Sequence, residues 1–206
     1  MVEIWRILCL FFLIIGLLLT IIDIFWETKL LKENIFKRIL LIAVGIVALY
    51  SIDKRFLYIS LEALFYGLII GTLFMVAHIL IAKGIKLKKE QVSIGLVYTQ
   101  LLMFVIELPA EEFLYRGILL VSLLSLVHPT IAILLTSILF LVVHIKTWNN
   151  WFVWSGSLIL GVICAISVYF TQSIWTAVII HVLNNFGFMT LIKKRNIFKE
   201  KITHQG

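Results

Sequence analysis

The sequence predicts an all-α protein, a polytopic bundle of about seven transmembrane helices in a single membrane domain, residues 1–206. Two observations support this fold class. Of the 206 residues, 62% are hydrophobic and 14% are charged, whereas soluble domains contain roughly 45–50% apolar and about 25% charged residues. The apolar residues are also grouped into long runs, and about 20 consecutive apolar residues suffice to cross a bilayer.

Seven apolar segments follow one another along the chain and define the predicted spans. The first, 4–25, carries Arg6 but no small-x-small cleavage site follows it, so we expect a retained helix rather than a signal peptide. The second, 39–52, is short for a crossing. The remaining segments are 56–82, 91–127, 129–145, 151–169 and 173–191.

The fourth segment allows two interpretations. As one helix, residues 91–127 would measure roughly 55 Å, against a bilayer core of about 30 Å. Pro109 lies inside this segment, and proline removes a backbone donor and kinks a helix. The segment is therefore either one kinked span with an extension beyond the membrane, or two spans.

The distribution of basic residues favours one span and seven crossings. With the N-terminus outside and the C-terminus inside, fourteen of the 18 Lys and Arg residues lie in the inside segments and three lie outside, as the positive-inside rule requires. Splitting the fourth segment, or omitting the short second span, would move basic segments outside. The inside segments are 26–38, 83–90, 146–150 and 192–206.

The net charge of +7 does not predict a nucleic-acid partner. The basic residues lie between spans, where they set orientation, and they form no stripe interleaved with aromatic residues. The partner that composition predicts is the lipid bilayer. Cys9 and Cys164 lie within apolar runs without metal-ligand spacing, so we expect small buried side chains.

Ionisable side chains inside the predicted spans are costly, and they must be paired, face water or serve a function. Glu112 and Arg116 are four residues apart on one helix face, which predicts a structural pair. Glu111 points about 100° away from Glu112 around the helix axis and has no charged partner in this motif. An unpaired carboxylate of this kind is suited to act as a general base. The other ionisable residues in the spans are Glu62, His78, Glu107, His144 and His181; we interpret Glu62 and His78 as structural.

Polar residues at the ends of two later spans extend the candidate site. His144 closes the fifth span, and His181 and Asn185 share a face of the seventh. Such side chains can donate to a developing oxyanion, bind a metal or join helices by hydrogen bonds. At about 1.5 Å rise per residue, these three and Glu111 lie roughly 12–24 Å from the outer face. We therefore expect them to converge.

Three motifs in this order resemble those of the CPBP family of CAAX proteases and bacteriocin-processing proteins, also called the Abi family. They are Glu111-Glu112-x-x-x-Arg116, Phe140-x-x-x-His144 and His181-x-x-x-Asn185. The resemblance covers residues 111–185, and it makes 91–192 the expected protease core. Residues 1–90 show no resemblance beyond being apolar.

The resemblance implies an intramembrane endopeptidase of the bacterial plasma membrane that hydrolyses a membrane-associated peptide or protein, in peptide maturation or bacteriocin self-immunity. It implies that Glu111 and His144 activate the attacking water and that His181 and Asn185 stabilise the oxyanion. Glu112 and Arg116 would support them. It is compatible with Zn²⁺ bound by Glu111, His144 and His181, and equally with a metal-free glutamate mechanism.

Two other functions compete with proteolysis. The first is a non-catalytic immunity or scaffold protein on the same fold, which the complete set of motif residues disfavours. The second is a transporter, which the lack of an internal repeat and of matched Gly/Pro-broken helices disfavours. A structure with Glu111 and His144 on opposite faces of the bundle would contradict the protease prediction.

Overall fold

A computed structural model describes residues 2–26, 31–81, 98 and 100–188, and all regular elements in these ranges are helical. The predicted all-α fold is confirmed. The described residues form seven helices: α1 (Val2–Phe25), α2 (Leu31–Asp53), α3 (Leu61–Ile81), α4 (103–124), α5 (Pro129–Thr147), α6 (Trp151–Thr171) and α7 (Ile174–Gly187). The predicted basic segments 83–90 and 192–206 lie outside the described residues.

Helix length and composition show that the protein is embedded in a membrane. Within the described residues, α1, α2, α3, α5 and α6 are each long and apolar enough to cross a bilayer, and α7 is apolar but shorter. Glu62 lies exposed in the first turn of α3, at the end of a span rather than within it. Cys9 and Cys164 are free and buried, as expected.

The second helix corrects a predicted boundary. It begins at Leu31 rather than at residue 39, so Lys37 and Arg38 belong to the helix and not to a basic loop. Asp23 of α1 explains the difference, because its carboxylate pairs with Lys37 Nζ at 2.8 Å and with Arg38 Nη1 at 3.2 Å. Paired charges can enter a low-dielectric region that unpaired charges avoid.

The fourth helix runs through the bundle without a break over its described residues. Residues 100–124 are continuously helical, so the two-span interpretation does not hold for this part of the chain. Two π-helical stretches, Met103–Glu107 and Phe113–Leu120, flank the α-helical turns around Pro109. Residues 112–123 are all buried, so α4 is the central helix that the others surround. Such π stretches are rare and frequent at functional sites.

Hydrogen bonds between helix ends show that the helices alternate in direction. At one end of the bundle, Trp5 Nε1 donates to Ile52 O at 3.4 Å, and Trp175 Nε1 donates to Leu57 O at 2.8 Å. At the other end, Lys146 Nζ donates to the carbonyl of Ile24. These contacts place successive helix ends on opposite sides. Which side faces the cytoplasm stays a prediction.

Small residues bring α3 against α7. Ala63, Gly67 and Gly71 recur every four residues and are buried on one face of α3, the spacing with which membrane helices approach closely. The added Cβ of an alanine at position 71 would lie 2.7 Å from Leu183 Cδ1 and 3.2 Å from Ile180 Cα. No larger side chain fits there unless the helices separate.

Gly71→Ala is expected to lower the free energy of unfolding by about 1–3 kcal/mol, because the added methyl group overpacks this contact. Unfolding by dodecyl sulfate titration in mixed micelles, followed by circular dichroism, measures the change. Gly156→Ala is the matched control, since a Cβ there meets no atom within 4 Å. Equal losses in the two variants would show that the α3–α7 contact has room for a methyl group.

Candidate active site

A buried ion-pair network forms the centre of the site. Arg116 Nη1 donates to Glu112 Oε1 at 3.1 Å, and Arg116 Nη2 donates to the Gly161 carbonyl at 3.1 Å. The predicted Glu112–Arg116 pair is thereby confirmed. His181 Nδ1 lies 2.7 Å from the same carboxylate oxygen, and all three side chains are at most 1% exposed. The network joins α4, α6 and α7.

The contacts of the two histidines fix which ring nitrogens remain available. Carboxylate and carbonyl oxygens accept hydrogen bonds, so a ring nitrogen beside one must carry the proton. His181 Nδ1 therefore donates to Glu112, and His144 Nδ1 donates to the Phe140 carbonyl at 2.9 Å. In each histidine, Nε2 is therefore the ring nitrogen that remains available to accept or donate a proton in a reaction.

Phe140 packs the site together, a role that the sequence motif did not reveal. Its ring centroid lies 4.4 Å from the Arg116 guanidinium carbon, and the ring centroids of His144 and His181 lie 4.4 Å and 5.6 Å away. The edge of Tyr115 approaches at 5.3 Å. The side chain is fully buried, so it separates the ion pair from water and limits the movement of both imidazoles.

A cavity of about 170 Å³ adjoins these residues. His144, His181 and Asn185, three of the four predicted catalytic residues, line it. Most of the remaining wall is aromatic or aliphatic, which suits an apolar ligand segment beside a few polar groups. The other lining residues are Phe74, His78, Trp148, Phe152, Val153, Gly156, Ser157, Ile159, Leu160, Asn184 and Phe188.

Glu111, the fourth predicted residue, does not line this cavity. Its side chain is 15% exposed and lies 4.0 Å from Arg38 Nη2. No hydrogen bond joins Glu111 to His144. The structure thus brings His144, His181 and Asn185 to one cavity and leaves Glu111 outside its lining, beside Arg38.

Comparison with known protein families adds independent information. Residues 93–187 match the family described as Rce1-like, type II CAAX prenyl endopeptidase Rce1-like. The matched segment comprises 95 of the 206 residues and is similar to this family. The match confirms the CPBP resemblance, and it supports a membrane endopeptidase as the kind of function. No curated protein and no solved structure matches the chain significantly.

The Rce1-like segment does not contain the whole charged neighbourhood of Glu111. Arg38, on α2, contacts Asp23 and Glu107 at 3.2 Å as well as Glu111 at 4.0 Å. Sequence reasoning missed this cluster because it counted Arg38 in a loop and left out Asp23. The signal that could have found it is Asp23 at the end of the first apolar run, opposite two basic residues at the start of the second.

The expected zinc ligands do not form a ligand set in the described structure. Glu111, His144 and His181 do not lie together as a group of three that could hold a metal ion. The Nδ1 atoms of both histidines are already bonded, and Glu111 is turned toward Arg38. Zinc at these residues stays a prediction, and the mechanism below uses no step through it.

Replacing Arg38 by alanine is expected to lower the free energy of unfolding by about 3 kcal/mol, because it removes one partner of the buried Asp23 carboxylate and the cation beside the partly buried Glu107. Dodecyl sulfate titration in mixed micelles measures the change. Arg55→Ala is the matched control, since Arg55 is 64% exposed and pairs with Asp53 at the surface, and it should leave the midpoint unchanged. An unchanged unfolding midpoint in Arg38→Ala would show that Arg38 does not stabilise the carboxylates around it.

Proposed function

We propose that the protein is an intramembrane endopeptidase that hydrolyses a membrane-associated peptide or protein by a metal-free mechanism. Its catalytic residues are Glu111, His144, His181 and Asn185. One observation carries the proposal: two histidines and an asparagine from α5 and α7 line one cavity within the membrane bundle, and each histidine keeps Nε2 for chemistry. Glu111 lies outside the cavity lining, 4.0 Å from Arg38 Nη2.

The first step is attack by water on the substrate carbonyl carbon. His144 Nε2 is an acceptor in the neutral ring, and Glu111 precedes Glu112, the residue that bonds His181. In the proposed reaction the Glu111 carboxylate turns from Arg38 toward the cavity, and His144 and Glu111 share the activation of one water. The water oxygen forms the new bond to carbon, and one of its protons passes to these two bases. Apo sites commonly leave such contacts longer than in the reacting complex.

The next step is stabilisation and collapse of the tetrahedral intermediate. Asn185 Nδ2 donates to the oxyanion, and His181 donates from Nε2 in its doubly protonated form, whose charge the Glu112 carboxylate balances at 2.7 Å. Hydrogen-bond donors that are fixed in a site without water stabilise the developing negative charge more than the same groups do in water. The carbon–nitrogen bond then breaks, and the proton taken from water goes to the leaving amine.

The proposed substrate places an apolar residue or lipid-like group in the aromatic part of the cavity. Phe74, Phe152 and Phe188 contribute rings there. Because the family is described by its action on CAAX prenyl proteins, a prenylated C-terminal segment is the first substrate to test. Peptide maturation or bacteriocin self-immunity is the proposed biological setting.

A second candidate is a non-catalytic membrane immunity or scaffold protein on the same fold. The observation that favours it is the position of Glu111, which faces Arg38 and not the cavity. In that case the buried polar network has a structural role only, and the cavity binds a partner segment without cleaving it.

The Glu111→Gln and His144→Gln variants are expected to lose at least about 10²-fold in kcat, because each removes a group that takes the proton from water. The assay uses purified protein in detergent and a quenched fluorescent peptide with a farnesylated CAAX end, beside its unfarnesylated counterpart. His128→Phe, a replacement at the loop before α5, serves as control and should retain wild-type activity.

A zinc chelator added to the same assay separates the two mechanisms. Under the proposed metal-free mechanism, the wild-type rate is unchanged. Loss of activity that added Zn²⁺ restores would replace it with the zinc mechanism. Equal cleavage by wild type and Glu111→Gln would contradict the catalytic role of Glu111, and binding of the peptide without cleavage would favour the scaffold function.

A further inference from the structure

A second polar chain borders the cavity, and two of its three side chains, those of His78 and Asn184, have no role in the proposed mechanism. His78, near the end of α3, places Nε2 3.1 Å from Asn184 Oδ1 on α7. Asn184 Nδ2 in turn donates to Asn185 Oδ1 at 2.9 Å. All three side chains line the cavity. The chain therefore runs from a helix outside the Rce1-like segment to a proposed catalytic residue.

The hydrogen bonds of this chain have one consistent direction. A neutral imidazole carries one proton, and His78 Nδ1 is buried without a hydrogen-bond partner in the described part of the chain. An unpaired buried N–H is rarer than an unpaired acceptor, so the proton belongs on Nε2. There it donates to Asn184 Oδ1, which leaves the Asn184 amide nitrogen as the donor to Asn185 Oδ1.

This direction decides which end of the Asn185 amide is available. Its oxygen is occupied by Asn184, and its Nδ2 has no protein partner among the described residues. We propose that His78 is a positioning residue of the protease site, which acts through Asn184 to hold the Asn185 amide with its donor free for the oxyanion. The inference deepens the proposed function and rests on it for its catalytic consequence.

The packing around His78 fits this role. A Cβ added at Gly187 would lie 2.9 Å from Met75 Cα and 3.2 Å from His78 Cδ2, so glycine allows the imidazole to approach α7. The ring of Phe188 also contacts the imidazole edge to face, with the ring centroids 5.7 Å apart. The imidazole thus packs against Gly187 and an aromatic ring, with its Nε2 facing the Asn184 amide.

The first test reads the Asn185 amide directly and needs no substrate. Full-length protein labelled with ¹⁵N-asparagine is studied in detergent by NMR, and single Asn→Asp variants assign the side-chain signals. His78→Phe is expected to shift the Asn185 side-chain amide signals, and His78→Gln, whose Nε2 can replace the imidazole donor, to leave them near their wild-type positions. Unchanged Asn185 signals in His78→Phe would overturn the proposal.

The second test uses the farnesylated peptide described above. His78→Phe should lower kcat about tenfold or more with KM nearly unchanged, because a misplacement of about 1 Å can cost ~10²-fold in rate. His78→Gln should restore most of kcat. In an Asn184→Ala background, His78→Phe should add no further loss, since coupled residues are not additive. Additive losses, or equal losses in His78→Phe and His78→Gln, would overturn the positioning role.

The two tests separate failure of the inference from failure of the proposed function. If wild-type protein cleaves the peptide and the Asn185 signals do not respond to His78, the positioning role is wrong and the protease stands. If wild type cleaves nothing while the signals respond as expected, the hydrogen-bonded chain is correct and the protease is wrong. His128→Phe, checked by gel filtration and cleavage with the other variants, controls for loss of a histidine as such.

Discussion

The structure depends on burying one charge pair, Glu112 and Arg116, at the centre of a membrane bundle. Such a pair is tolerated only when its geometry is good and its remaining polar atoms are bonded. Here the guanidinium also reaches the Gly161 carbonyl, the carboxylate also accepts from His181, and Phe140 covers the pair. The requirements of the pair therefore set the positions of α5, α6 and α7. The imidazole of His181, which donates to the buried Glu112 carboxylate, is at the same time held in place beside the cavity.

The N-terminal helices complete the site although the family match does not include them. Arg38 from α2 contacts both Glu107 and Glu111, and His78 from α3 contacts Asn184. In each case a residue outside 93–187 bonds to a polar side chain inside it. Charges and amides buried in a membrane need partners wherever the chain can supply them. The first half of the chain is thus bonded to the Rce1-like segment by polar contacts and does not serve only to fill the membrane.

Much of this arrangement could be predicted from the sequence, because hydrophobic run length and helix periodicity are local signals. The all-α fold and the Glu112–Arg116 pair follow from those signals, whereas run length alone left one or two helices open for the fourth segment and the distribution of basic residues favoured one. The start of α2 could not be predicted, since it depends on the pairing of Asp23 in α1 with Lys37 and Arg38 in α2. The link from His78 to Asn184 was also missed. It joins residues far apart in sequence, and only the Gly67/Gly71 face of α3 hints that these helices lie close enough.

The position of His181 has a consequence for the chemistry that the fold can support. Its Nδ1 donates to the Glu112 carboxylate of the buried ion-pair network, and the same ring lines the cavity beside His144 and Asn185. A single ring therefore joins a buried charged network to a largely apolar cavity. Charges in the network change the electrostatic potential at the ring, whereas contacts in the cavity decide what the ring can bind, because low dielectric strengthens both effects. A bundle built this way can keep its charged groups out of an apolar cavity while those groups still act, through His181, on what the cavity binds.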